Sequence, residues 1–161
     1  MMLKKITIRL LFGIFLIGCM GQQPTKEESA FIVIKTPTMK YADLGFISNA
    51  PALVKVNIYT AGQPLVQFEI NALNVCMSTF ECMNKKAFNK KILSENYPDT
   101  LLEDIFRGKP IFEKENLEKT KNGFSQKLKK DKAYDIRYTV KNGTRTFRDK
   151  INKILIKVRE Q

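Results

Sequence analysis

The 161-residue chain has no histidine, no tryptophan and only three cysteines. Without imidazole there is no Ser-His or Cys-His pair to activate a nucleophile, and three thiols alone fall short of a four-ligand zinc site. No Gly-rich phosphate loop or metal-ligand cluster appears. Asp99, Glu103 and Asp104 lie close together at a helix start, where negative charge is favourable in any case. Carboxylate pairs that only folding assembles are invisible in one sequence; with no catalytic set in view, the expectation is a protein that is not an enzyme and takes no cofactor. Acidic residues are also scarce, 16 against 28 Lys and Arg, for a net charge of +12. Long apolar runs are missing too. The run from Leu10 to Ile17 would extend about 12 Å as a helix, against a hydrocarbon layer of roughly 30 Å.

What stands at the amino end is an export signal. Lys4, Lys5 and Arg9 precede that short apolar run, and Leu16-Ile17-Gly18-Cys19 ends it, the pattern of a signal peptide. Small Gly18 directly before a cysteine resembles the bacterial lipobox. There a leucine, a small or aliphatic residue, and Gly or Ala precede the cysteine that is diacylated through its thiol and often acylated again on its new amino terminus. The resemblance implies cleavage between Gly18 and Cys19 and palmitate-type acylation of Cys19. At about 0.8 kcal/mol per buried methylene, two or three chains anchor far more firmly than one myristoyl group. Met20 follows the cysteine, where an aspartate would signal inner-membrane retention, so the expected location is the outer membrane of a Gram-negative cell, facing the periplasm.

The expected organisation is a signal peptide over 1–18, a lipidated cysteine with a flexible polar tether over 19–29, and a single domain over 30–161, long enough for one core. Export argues against nucleic acid as a partner. Cys76 and Cys82 lie six positions apart, and an oxidising compartment favours a disulfide between them, worth about 2.4 kcal/mol by loop entropy. The spacing is not that of a Cys-x-x-Cys redox motif. The alternative is two free thiols packed among Met77, Phe80 and Met83.

Strand patterns dominate both ends of the domain. Phe31 to Ile34 is a short apolar run stopped at Thr36-Pro37, and Tyr41 to Ile47 reads as an irregular strand interrupted by Gly45. Leu53 to Tyr59 and Leu65 to Ile70 alternate around the turn Ala61-Gly62-Gln63-Pro64. In the middle, Phe80, Met83, Ala87, Phe88 and Ile92 recur at near-helical spacing. A second helix follows, with Pro98 at its first position, an apolar stripe of Leu101, Leu102, Ile105 and Phe106, and Gly108 as its stop. Phe124 to Lys129, Tyr134 to Val140, Thr144 to Arg148 and Ile154 to Val158 then return to strands, with Asn142-Gly143 as a hairpin turn. The prediction is an α+β fold: an antiparallel, curved sheet, closing partway toward a half-open barrel, with a central helix pair on one face.

Charge is uneven along this order, since residues 19–120 carry 12 basic and 12 acidic side chains and residues 121–161 carry 13 and 4. Lys127, Lys129, Arg137, Lys141, Arg145, Arg148, Lys153 and Lys157 are the candidate contacts for an anionic partner: headgroups, lipopolysaccharide phosphates or an acidic protein. Lysines that keep strand edges soluble would look the same.

Two family resemblances can be stated on residues. Pro37, Tyr41-Ala42-Asp43-Leu44-Gly45-Phe46-Ile47, Val75-Cys76-Met77, Cys82-Met83, Tyr97-Pro98-Asp99 and Arg107-Gly108-Lys109-Pro110-Ile111-Phe112 resemble an uncharacterised family of small lipoproteins from spiral Gram-negative bacteria, which implies no activity. Arg107-Gly108-Lys109-Pro110, Gly123-Phe124-Ser125-Gln126 and Tyr134-Asp135-Ile136-Arg137-Tyr138 are similar in order to the lipoprotein receptor LolB over roughly residues 98–158. That resemblance implies a half-open barrel whose helices lid an apolar acyl-chain cavity, hence a non-catalytic role in lipoprotein trafficking. It transfers no binding residue. The alternative expectation is an envelope assembly module that works through its basic sheet. A redox-active protein is a third class.

Overall fold

Alternation builds the strands. In β3 (Leu53–Thr60), Val54, Val56 and Ile58 are buried and Lys55, Asn57 and Tyr59 lie on the opposite side. The same parity runs through β1 (Lys26–Lys35), β2 (Lys40–Ala50) and β4 (Gln63–Asn71), with β5 (Asn74–Met77) and β6 (Phe80–Asn84) completing a first meander. A second meander comprises β7 (Leu117–Thr120), β8 (Gly123–Lys130), β9 (Tyr134–Lys141), β10 (Thr144–Asp149) and β11 (Ile154–Glu160). Between them lie α1 (Lys85–Ile92) and α2 (Leu101–Arg107). These elements come from a computed structural model that describes residues 26–78 and 80–161.

All eleven strands form one antiparallel, curved and unclosed sheet in the order β6-β5-β4-β3-β2-β1-β11-β10-β9-β8-β7. Its seam is the β1–β11 ladder, where Ile32 faces Val158 and Ile34 faces Ile156. The edges, β6 and β7, are short, which limits unwanted edge pairing. Both helices pack on one face, here called inner. That face carries Ile32, Ile34, Val56, Ile58, Phe68, Tyr138, Phe147 and Ile156, and the helices add Phe88, Leu101, Ile105 and Phe106, each no more than 1% exposed. Burying each such aliphatic or aromatic side chain is worth about 1.5–3 kcal/mol.

The helix ends follow capping chemistry. The Asn84 side chain accepts from the Ala87 N–H at 2.8 Å and starts α1, satisfying one orphan donor. Gly108, at φ 67°, ends α2 in the left-handed conformation, and Lys109 N–H returns to the Asp104 carbonyl, a Schellman-type stop. Asn89 donates to the carbonyls of Tyr97 and Pro98, fastening the loop between the helices.

The predicted α+β class and its order of meander, helix pair, meander are what the fold has, and several boundaries are corrected. Phe80 to Asn84 is a strand: the chain hairpins back onto β5 before turning helical at Lys85. Pro98 precedes α2 in a turn closed by Leu101 N–H to its carbonyl, and Thr100 is the residue before the helix. The polar run ends earlier than Ser29, because Lys26–Ser29 pair with Phe46–Asn49 as the start of β1. Gly45 does not interrupt its strand. A Cβ there would lie 2.2 Å from the Asn57 carbonyl oxygen, so glycine permits the close β2–β3 approach. The hairpin at Asn142-Gly143 has positive φ at both positions, 48° and 69°, the type I′ pattern.

Candidate functional site

Gly18 and Cys19 lie outside the described residues. Of the other predicted positions, Cys76 and Cys82 form a disulfide that ties β5 to the edge strand β6. Cys76 points to the outer face, opposite the side on which α1 packs over these strands, and a sulfur pair already bonded across an edge hairpin fits a structural staple.

The basic residues divide between the two faces. Lys127, Lys129, Arg137, Lys141, Arg148 and Lys157 lie on the outer face, alternating with the buried Leu128, Ile136, Tyr138, Phe147 and Ile156. Lys153 is exposed in the β10–β11 turn. Arg145 does not belong with them. Its parity is that of Phe147 and Asp149, so it points inward and is 6% exposed. Its guanidinium donates to the Phe106 carbonyl at 2.6 Å and to Glu160 at 2.9 Å, and lies 2.6 Å from Glu28 Oε1. The contact with Glu28 is an ion pair without an aligned hydrogen bond. This buried cation is consumed inside the fold and offers nothing to an external anion.

Three polar fastenings hold the helix layer to the sheet. Arg145 holds the end of α2. Glu103 accepts from Lys85 at 2.7 Å and from Arg107 at 2.9 Å, while Arg107 donates to the Ala50 and Pro51 carbonyls at the β2–β3 turn. Burial alone would push the Glu103 carboxyl up, but the hydrogen bonds and charges of Lys85 and Arg107 outweigh it and hold it below the usual range. Its neighbour Asp104 lacks such cationic hydrogen bonds, and burial leaves its carboxyl raised.

The third fastening joins the interhelix loop to the second meander. Tyr97 donates to Asp149 at 2.5 Å, and Asp149 also accepts from Asn152 and from the Asp135 and Ile151 N–H groups. Burial would raise the Asp149 carboxyl, but these donors hold it low. The Tyr97 phenol is driven well above its ordinary value, first by burial and then by its bond and proximity to the Asp149 carboxylate. Deeper on the inner face, the Tyr138 hydroxyl is fully buried without a hydrogen-bond partner, and burial pushes its phenol up as well.

The outer face carries a feature that sequence reading missed. Leu44 and Phe46 on β2 are 54% and 44% exposed, Phe46 meets Tyr59 edge-on at 5.9 Å, and together with Gly45 and Gly62 they line an open groove of about 620 Å³. Alternation already showed it: Leu44 and Phe46 are out of phase with buried Ile47. Among the described residues, no group of three His, Cys, Asp or Glu side chains could hold a metal, and no helix is long and apolar enough to cross a membrane. No protein-family model matches the chain, and no curated protein is significantly similar to it.

Proposed function

We propose that this is a non-catalytic envelope lipoprotein, anchored through Cys19 to the outer membrane and facing the periplasm, whose domain binds an acyl chain during lipoprotein trafficking. The observation that carries this reading is the shape of the apolar surface. One open, curved sheet presents a continuous inner face from Val75 on β5 to Leu128 on β8, and that face is roofed by helices of only eight and seven residues. The open sheet with helices over one face is part of what the resemblance to LolB implies; the free acyl-chain cavity it also implies is filled here by side chains. The inner face is filled by Phe88, Leu101, Ile105 and Phe106, so an acyl chain enters only if the helix layer is displaced and the Arg145, Glu103 and Tyr97–Asp149 fastenings are released. A lipid ester or amide would give the orphaned Tyr138 hydroxyl a partner, which a buried polar group lacks at a cost of roughly 1–3 kcal/mol.

A second reading is an envelope assembly module, and the filled inner face together with the exposed Leu44 and Phe46 and their groove favours it. Depletion of the protein, followed by membrane fractionation of other lipoproteins, separates the two. Trafficking predicts that outer-membrane lipoproteins accumulate in the inner membrane. Normal localisation of those lipoproteins, with loss of a co-purifying envelope complex, selects the assembly module.

A further inference from the structure

The register of six strands assembles a line of cations that no stretch of sequence shows. Lys40 pairs with Lys35 across β2–β1, Lys35 with Leu155 across β1–β11, Leu155 with Arg148, Arg148 with Arg137, and Arg137 with Lys127. All six side chains stand on the outer face, and the five cations are exposed. At about 4.8 Å between strands, the row is about 24 Å long. Like charges directly opposite one another destabilise a sheet, and none of the five makes an ion pair among the described residues. A groove of about 440 Å³ opens beside Arg148 and Arg137, lined also by Lys127, Lys129 and Lys150, with Asp135 its one carboxylate. A second groove of about 470 Å³ continues past Arg148 and Lys150 toward Lys35 and Lys153.

We propose that this row docks the domain on an anionic membrane surface by engaging lipid phosphate headgroups. The row runs along an open sheet face, so it can meet many phosphates side by side. Apolar side chains share the face: Leu155 lies within the row, Val33 and Phe31 follow on β1, and Leu44 pairs with Phe31. Cations flanked by half-exposed apolar groups suit the headgroup boundary, where charge meets phosphate and hydrocarbon enters shallowly. The proposal is independent of acyl-chain binding on the inner face and of any lipid on Cys19.

The test partitions the full-length chain, carrying Cys19→Ser, between buffer and vesicles of either phosphatidylcholine alone or phosphatidylcholine and phosphatidylglycerol in equal parts. The readout is the ratio of anionic to neutral partitioning, so the shared amino-terminal segment cancels. The triple variant Lys127→Gln, Arg137→Gln, Arg148→Gln is expected to lower that ratio on the order of 100-fold at low salt. It removes like-charge neighbours and therefore folds at least as well, which its thermal midpoint checks. A control triple variant, Lys86→Gln, Lys90→Gln, Lys114→Gln, removes the same charge elsewhere and is expected to keep the ratio within a few-fold. Equal losses in both variants, or no preference for anionic vesicles, overturn the proposal. So does saturable binding of inorganic phosphate or polyglutamate without vesicle binding, which reassigns the row to a free anion or an acidic protein.

Discussion

Arg145 and Phe106 join the two halves of the domain. The guanidinium on β10 donates to the last-turn carbonyl of α2 at 2.6 Å, while Glu28 on β1 and Glu160 on β11 neutralise it. One side chain thus connects the seam strands, the second meander and the helix layer. Gly108 makes room for it: a Cβ there would stand 2.9 Å from Arg145 Nε, at a φ of 67°.

Arg145→Met leaves the Glu28 carboxylate buried without its cation. The expected loss is about 3–5 kcal/mol in urea unfolding, and adding Glu28→Gln restores much of it, since the uncompensated charge is then gone. An unchanged midpoint for the single variant would show that the cluster does not hold the fold.

Alkaline titration reports on Tyr97 and Tyr138. Both phenols are raised by burial in the folded state, so the fold binds more protons than the unfolded chain above about pH 10. Stability therefore falls as pH rises past that value. Absorbance of the phenolate band should show these two of the five tyrosines ionising only as the protein unfolds, and Tyr97→Phe should remove part of the delay.

Acid acts through Asp149 and Glu103, whose carboxyls are held below their ordinary values. Their contribution is fully present above the unfolded carboxylate range near pH 4 and is lost as pH falls through the lower folded values. Asp149→Asn and Glu103→Gln should each lower stability at pH 7 and flatten its decline in acid, measured by thermal midpoints across pH.

The Cys76–Cys82 disulfide closes a small loop at the sheet edge, so Cys76→Ser should cost about 2 kcal/mol and leave function intact in vivo. Loss of function without loss of stability would restore the redox reading.

Cys19→Ala should abolish incorporation of labelled palmitate and release the protein from membranes. Retention of label would place the lipid elsewhere.

The strands of the second meander were legible because Ile136, Tyr138, Phe147, Ile154 and Ile156 alternate cleanly and Asn142-Gly143 marks the turn. β5 and β6 were not, because four or five residues rich in Met and Cys carry no period, and Phe80, Met83 and Ala87 mimic helical spacing by chance. Arg145 could have been set apart, since it shares the parity of Phe147. The cation row could not, because Lys35 and Lys127 fall into one line on one face only through the β1–β11 seam and the registers beyond it.

The claim that the inner face takes an acyl chain is tested most directly by photocrosslinking. A lipopeptide with a photoreactive acyl chain is irradiated with the protein, and the adducts are mapped by mass spectrometry. Acyl-chain binding under the helices predicts adducts on inner-face positions such as Ile58, Phe68 and Tyr138, competed by unlabelled lipopeptide. Adducts confined to Leu44 and Phe46 on the outer face, or none at all, would contradict it.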